Sequence, residues 1–109
     1  MNIRLIVPNA NRNVSPIVAY GRTIAEVAGG FTATQSTGGW IDDHGTLLVE
    51  PVTVFDCYCD DARAGIQYAQ TANRVDAGAF RTLAAQIARE LNQDCVYLEI
   101  DGKVEFITK

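Results

Sequence analysis

Between residues 80 and 91 the apolar side chains recur as Phe80, Leu83, Ala84, Ile87, Ala88 and Leu91. Spacings of three and four place them on one side of a helix, and a stripe that wide must be covered by another element. Asp76 stands where it can cap the first turn. A second stripe, Ile17, Tyr20, Ile24, Val27 and Ala28, follows Ser15 and Pro16, an N-cap and a proline suited to the first helical position. Gly21 weakens that helix without ending it, and Gly29-Gly30 ends it. Two one-sided helices in 109 residues need a common sheet to cover.

The strands are legible around them. Ile3 to Val7 is an apolar run of β type stopped by Pro8 and the polar loop Asn9 to Asn13. Phe31 to Ser36 is β-prone, and Trp40-Ile41-Asp42-Asp43-His44-Gly45 reads as a strand end and a turn closed by glycine, with His44 a turn residue. Thr46 to Cys59 is long for a strand, and Pro51 predicts an edge position or a bulge, with a bend or break near Glu50-Pro51. Cys95 to Ile100 and Lys103 to Ile107 flank Asp101-Gly102, a strong two-residue hairpin signal. Residues 60 to 73 carry Ala and Gln but no apolar stripe, and read as an irregular insertion with a short helical turn; Asp60-Asp61 read as a loop or cap pair. The order β-α-β-β-α-β-β predicts an α+β fold: a ferredoxin-like β-α-β-β-α-β sandwich with an additional C-terminal strand, spanning 1–109 as a single domain.

Composition narrows the partners. Apolar residues form 48% and charged residues 20% of the chain, which excludes disorder and a disulfide miniprotein. Nine Lys and Arg against 13 Asp and Glu give a formal charge of −4, which disfavours nucleic acid and membrane as partners and tolerates a cationic ligand. No window reaches the roughly 18 apolar residues of a membrane span, and the apolar run at the N-terminus is too short for a signal peptide. The cysteines are Cys57, Cys59 and Cys95. An odd number, with Cys57 and Cys59 on one face of a strand, predicts reduced thiols and a cytoplasmic location. His44 has no second ligand cluster, so no metal and no cofactor are expected.

The sequence holds no Ser-His-Asp set, P-loop, GxGxxG or HExxH. What remains is a polar and aromatic cluster around one hairpin: Thr34, Ser36, Thr37, Gly38, Gly39, Trp40 and Glu50, with Asp94 entering a later strand. Trp40 is either a core anchor at the sheet edge, the commoner role of a lone Trp, or a stacking surface that Gly38 and Gly39 leave open to a flat ligand. Glu50 interrupts an apolar run; alternation makes the solvent face its default, and a bend at Pro51 would aim it into a pocket. Asp94 follows a helix C-terminus, which gives an anion no support, so its default is a loop carboxylate.

Four segments, Gly29-Gly30-Phe31-Thr32, Gly39-Trp40-Ile41-Asp42-Asp43-His44-Gly45, Glu50-Pro51-Val52-Thr53-Val54 and Gln93-Asp94-Cys95-Val96, together give a pattern that resembles the small phage-encoded proteins that degrade S-adenosylmethionine, first described as hydrolases and later understood as lyases. A related pattern also occurs in uncharacterised bacterial ferredoxin-like domains. The resemblance implies PII-like homotrimers with substrate bound between subunits. It places the family's active-site Glu on Glu50 and a second acidic residue on Asp94. Trp40 stands nearest to the family's hairpin Tyr, on a loop one residue shorter, and lacks the hydroxyl.

The implied chemistry requires neither metal nor general base. The sulfonium of S-adenosylmethionine is an activated leaving group, and the ligand's own carboxylate attacks the γ-carbon to give homoserine lactone and methylthioadenosine, so the protein contributes proximity and orientation. Glu50 and Asp94 would anchor the ammonium, and Trp40 would stack on the adenine or face the sulfonium beside Gly38 and Gly39. The expectation is a lyase that lowers the methyl donor available to host restriction and modification. The alternative is a non-catalytic trimeric module for a nucleotide-like ligand or a host defence protein.

Overall fold

A computed structural model describes residues 1–11, 13–59 and 77–109. The expected insertion at 60–73, the Asp60-Asp61 pair and the Asp76 cap lie outside the described residues. The elements are β1 (Asn2–Pro8), α1 (Pro16–Ala28), β2 (Thr32–Ile41), β3 (Leu47–Tyr58), α2 (Ala77–Glu90), β4 (Cys95–Ile100) and β5 (Lys103–Thr108). They form a five-stranded sheet in the order β2-β3-β1-β4-β5, antiparallel at every pairing. The first four strands have the ferredoxin-like arrangement and β5 is the additional strand, the α+β fold expected from the element order.

Local chemistry sets the element ends. The Ser15 Oγ accepts from the Val18 N–H at 3.3 Å at the start of α1, and Gly29 closes that helix in the left-handed region at φ 86°. Asp101 and Gly102 take φ 48° and 82°, the paired positive angles of a two-residue hairpin turn. Gly21 lies where a Cβ would come within 3.1 Å of the Phe31 ring, so its role in α1 is close approach. Ile17 is 39% exposed, which removes it from the predicted stripe.

The core lies on one face of the sheet. Ile3, Leu5 and Val7 of β1, Phe55 and Cys57 of β3, and Val96 and Leu98 of β4 meet Tyr20, Ile24 and Ala28 of α1 and Phe80, Leu83 and Ile87 of α2. In each strand these residues have one parity, so their neighbours point to the opposite face. No described helix covers that face.

Two expectations for β3 are corrected. The strand neither breaks nor bulges at Glu50-Pro51: its ladder with β2 runs unbroken from Thr32↔Asp56 to Ile41↔Leu47. The Pro51 carbonyl accepts from the Asn9 N–H at 3.0 Å on the β1 side. A strand residue's nitrogen points the same way as its carbonyl, so the donor missing from Pro51 falls beyond the last β1–β3 pair, Pro8↔Val52, and β2 loses no bond. Nor is β3 an edge, the position Pro51 predicts; β2 and β5 are the edges. Likewise β2 continues through Gly38-Gly39 to Ile41.

Candidate functional site

Strand lengths, more than any loop, create the site. β1 stops at Pro8, opposite Val52, while β2 and β3 run on as a two-stranded arm to the turn at 42–46. The turn is held by the Asp42 carboxylate, whose Oδ1 accepts from the His44 and Thr46 N–H groups at 2.8 and 2.9 Å. On the other side of β1, the chain enters β4 through Gln93 and Asp94. Between arm and β4 the missing length of β1 leaves a hollow of about 460 Å³ on the open sheet face.

Of the cluster singled out from the sequence, Thr34, Ser36 and Thr37 lie outside the lining of this hollow and the other five residues line it. Gly38, Gly39, Trp40 and Glu50 come from the arm, and Asp94 from the approach to β4. Trp40 is 47% exposed, so it is not the core anchor that a lone Trp more often is. Glu50 is half-buried and has the parity of Val52, Val54 and Asp56. It reaches the hollow because β1 ends beside it, at Pro8 opposite Val52. Asp94 is exposed, at the rim. Gly38 keeps the wall thin: a Cβ there would stand 3.2 Å from Val52 Cγ1.

Other residues of the lining escaped sequence reasoning. Ile6, Val52, Tyr97 and Phe106 give the hollow an apolar floor and an aromatic wall. The Tyr97 and Phe106 rings meet edge-on at 5.9 Å. The Tyr97 hydroxyl donates to Glu99 Oε1 at 2.7 Å, and this bond holds its pKa above the usual tyrosine value. The signal was the alternation in β4: Val96 and Leu98 suit a core, which leaves Tyr97 and Glu99 on the other face.

Among the described residues the charged groups of the lining are Glu50 and Asp94, and no Lys, Arg or His joins them. A cation is therefore favoured there. A further hollow on the same face, about 480 Å³, contains Arg4. That guanidinium is already paired with Asp56 at 2.8 Å. None of the three cysteines is in a disulfide. Burial, then Cys59 and Asp56, push the Cys57 thiol up to about 12, whereas Cys95 is exposed and lines the first hollow. No described helix is long and apolar enough to cross a membrane.

Searched against protein-family models and curated proteins, the sequence has no match. Solved structures do match. A phage SAM lyase in complex with S-methyl-5'-thioadenosine superimposes with a TM-score of 0.65 at 13% identity, covering 99% of this chain and 88% of that one. This chain has a SAM lyase-like fold. A phage SAM lyase in its apo state superimposes with a TM-score of 0.58 at 16% identity and the same coverage. The SAM lyase-like fold thus extends over nearly the whole chain, and at these identities the likeness is one of fold.

Proposed function

We propose that the hollow binds S-adenosylmethionine and that the protein cleaves it to methylthioadenosine and homoserine lactone. The observation that carries this reading is the convergence of Glu50, Asp94, Trp40, Gly38 and Gly39 on one hollow with two carboxylates and no cationic side chain among the described lining residues. The fold is shared with an enzyme solved in complex with S-methyl-5'-thioadenosine.

The substrate brings its own nucleophile and leaving group. One carboxylate oxygen forms a bond to the γ-carbon while the γ-carbon–sulfur bond breaks, and that electron pair neutralises the sulfonium to a thioether. No proton need move. The barrier falls when the methionine chain is held folded with oxygen and γ-carbon in line, a matter of orientation. Glu50 and Asp94 hold the ammonium, and the absence of a cation in the described lining leaves the substrate carboxylate free to attack. Trp40, Tyr97 and Phe106 offer faces for the adenine, and Gly38 lets it approach the arm. As the chain is acidic overall, a cationic substrate is drawn towards it.

The active form in this reading is a homotrimer in which a neighbouring copy closes the open side of the hollow, and its consequence in an infected cell is a smaller methyl-donor supply for restriction and modification. Light scattering on a size-exclusion column tests assembly; a stable monomer at micromolar concentration removes the inter-subunit site. The deciding experiment incubates the protein with S-adenosylmethionine in H₂¹⁸O and resolves products by mass spectrometry. Methylthioadenosine with unlabelled lactone supports the lyase, and homoserine labelled without a lactone precursor indicates hydrolysis. Binding of methylthioadenosine without turnover indicates the non-catalytic module.

A further inference from the structure

Among the described residues Thr53 is the buried polar side chain of the sheet, at 0% exposure. It lies on the helix-covered face of β3, three positions along from Glu50, where nothing in the proposed chemistry uses it. Its hydroxyl donates to Asn9 Oδ1 at 2.8 Å, with Gln35 Oε1 at 3.3 Å; a hydroxyl has one proton, and the shorter contact takes it. Asn9 Nδ2 in turn donates to Gln35 Oε1 at 3.1 Å, and the Asn9 N–H donates to the Pro51 carbonyl at 3.0 Å.

The chain of bonds therefore ties three strands together where one of them ends. Asn9 is the first residue after β1, Gln35 belongs to β2, and Thr53 and Pro51 belong to β3. Beyond this point the arm has no third strand, and an isolated two-stranded ribbon is marginal in water. Its posture relative to β4 is set at its root. The geometry points to Thr53, Asn9 and Gln35 as positioning residues: a polar clamp beneath the sheet fixes the arm that carries Gly38, Trp40 and Glu50, and so fixes the width of the hollow facing Asp94 and Tyr97. This inference rests on the reading of the hollow as the substrate site.

The clamp can be read without turnover, because Trp40 is the one tryptophan of the chain and stands on the arm. Thr53→Val keeps the shape and removes the donor; Asn9→Ala removes the link from the other end, on a partly exposed residue, if the first variant folds poorly. Both are to be measured well below their melting midpoints. Expected for each are lower Trp40 fluorescence anisotropy and faster acrylamide quenching in the unliganded protein. Methylthioadenosine binding and kcat for S-adenosylmethionine should fall roughly 2- to 10-fold, the range of one hydrogen bond's net effect, and Thr53→Ser should restore both. If anisotropy, quenching and binding match wild type in folded Thr53→Val and Asn9→Ala, the clamp does not position the arm. If the Trp40 signals shift but wild type binds neither methylthioadenosine nor S-adenosylmethionine, the clamp stands and the substrate reading falls.

Discussion

Glu50→Gln tests the site most directly, because it changes charge and preserves shape. Glu50 is half-buried, flanked by Val52 and facing the apolar floor formed by Ile6 and Pro8. The variant keeps the hydrogen-bonding oxygen and halves the negative charge of the described lining, from Glu50 and Asp94 to Asp94 alone. A hydrogen bond to a charged partner contributes roughly 1.5 to 3 kcal/mol. At about 1.4 kcal/mol per tenfold change, kcat/KM should drop roughly 10- to 100-fold. Partial exposure places the loss towards the lower end, and added salt should narrow it by screening. Folding should be unaffected, since Glu50 makes no ion pair among the described residues. The assay is methylthioadenosine release by chromatography, with melting curves on the same preparations. Asp94→Asn should act in the same direction, and the double variant should lose less than the sum if both carboxylates hold one ammonium. Turnover by Glu50→Gln at the wild-type rate would refute the assignment of Glu50 while leaving the reaction in place.

Other groups test the packing, the hollow and the titration of the fold. Leu83 is 5% exposed in the helix layer, so Leu83→Ala should cost about 2 to 5 kcal/mol by denaturant unfolding; an unchanged midpoint would take α2 out of the core. In native protein at neutral pH, Ellman's reagent should titrate Cys95 quickly, while buried Cys57, with its pKa pushed up to about 12, and buried Cys59 react only on unfolding. Because Cys95 lines the hollow, methylthioadenosine should slow its labelling; equal rates with and without the nucleoside would place the ligand elsewhere. The Glu90 carboxylate accepts from Gln86 at 3.0 Å and from the Tyr20 hydroxyl at 2.9 Å, and these bonds hold it below its ordinary 4.5. A lowered carboxylate pKa stabilises the fold above the ordinary value, and this is lost as pH falls through the folded one. The stability gap between wild type and Glu90→Gln should therefore be present at pH 7 and close in acid, as pH falls below the ordinary carboxylate value and through the lowered folded one. A gap that widens in acid would contradict the sign.

The sequence by itself determined the element order, the faces of both helices and the two tight turns, because these depend on contacts a few residues apart. Phe80, Leu83 and Ile87 recur at helical spacing whatever surrounds them, and Asp101-Gly102 needs only its own backbone angles. It also singled out the charged and glycine-bearing members of the hollow, since Glu50 interrupts an apolar run and Gly38-Gly39 stand beside the lone Trp40. Tertiary structure alone decided what those features do. Pro51 predicts a break because the sequence cannot say which side of the strand its missing donor faces, and pairing with β2 together with the end of β1 at Pro8 makes it harmless. Tyr97, Phe106 and Ile6 look like ordinary strand residues until the sheet order places β1, β4 and β5 side by side. The hollow exists because β1 is shorter than β3, and a difference in length between strands distant in sequence becomes a cavity only after they pair.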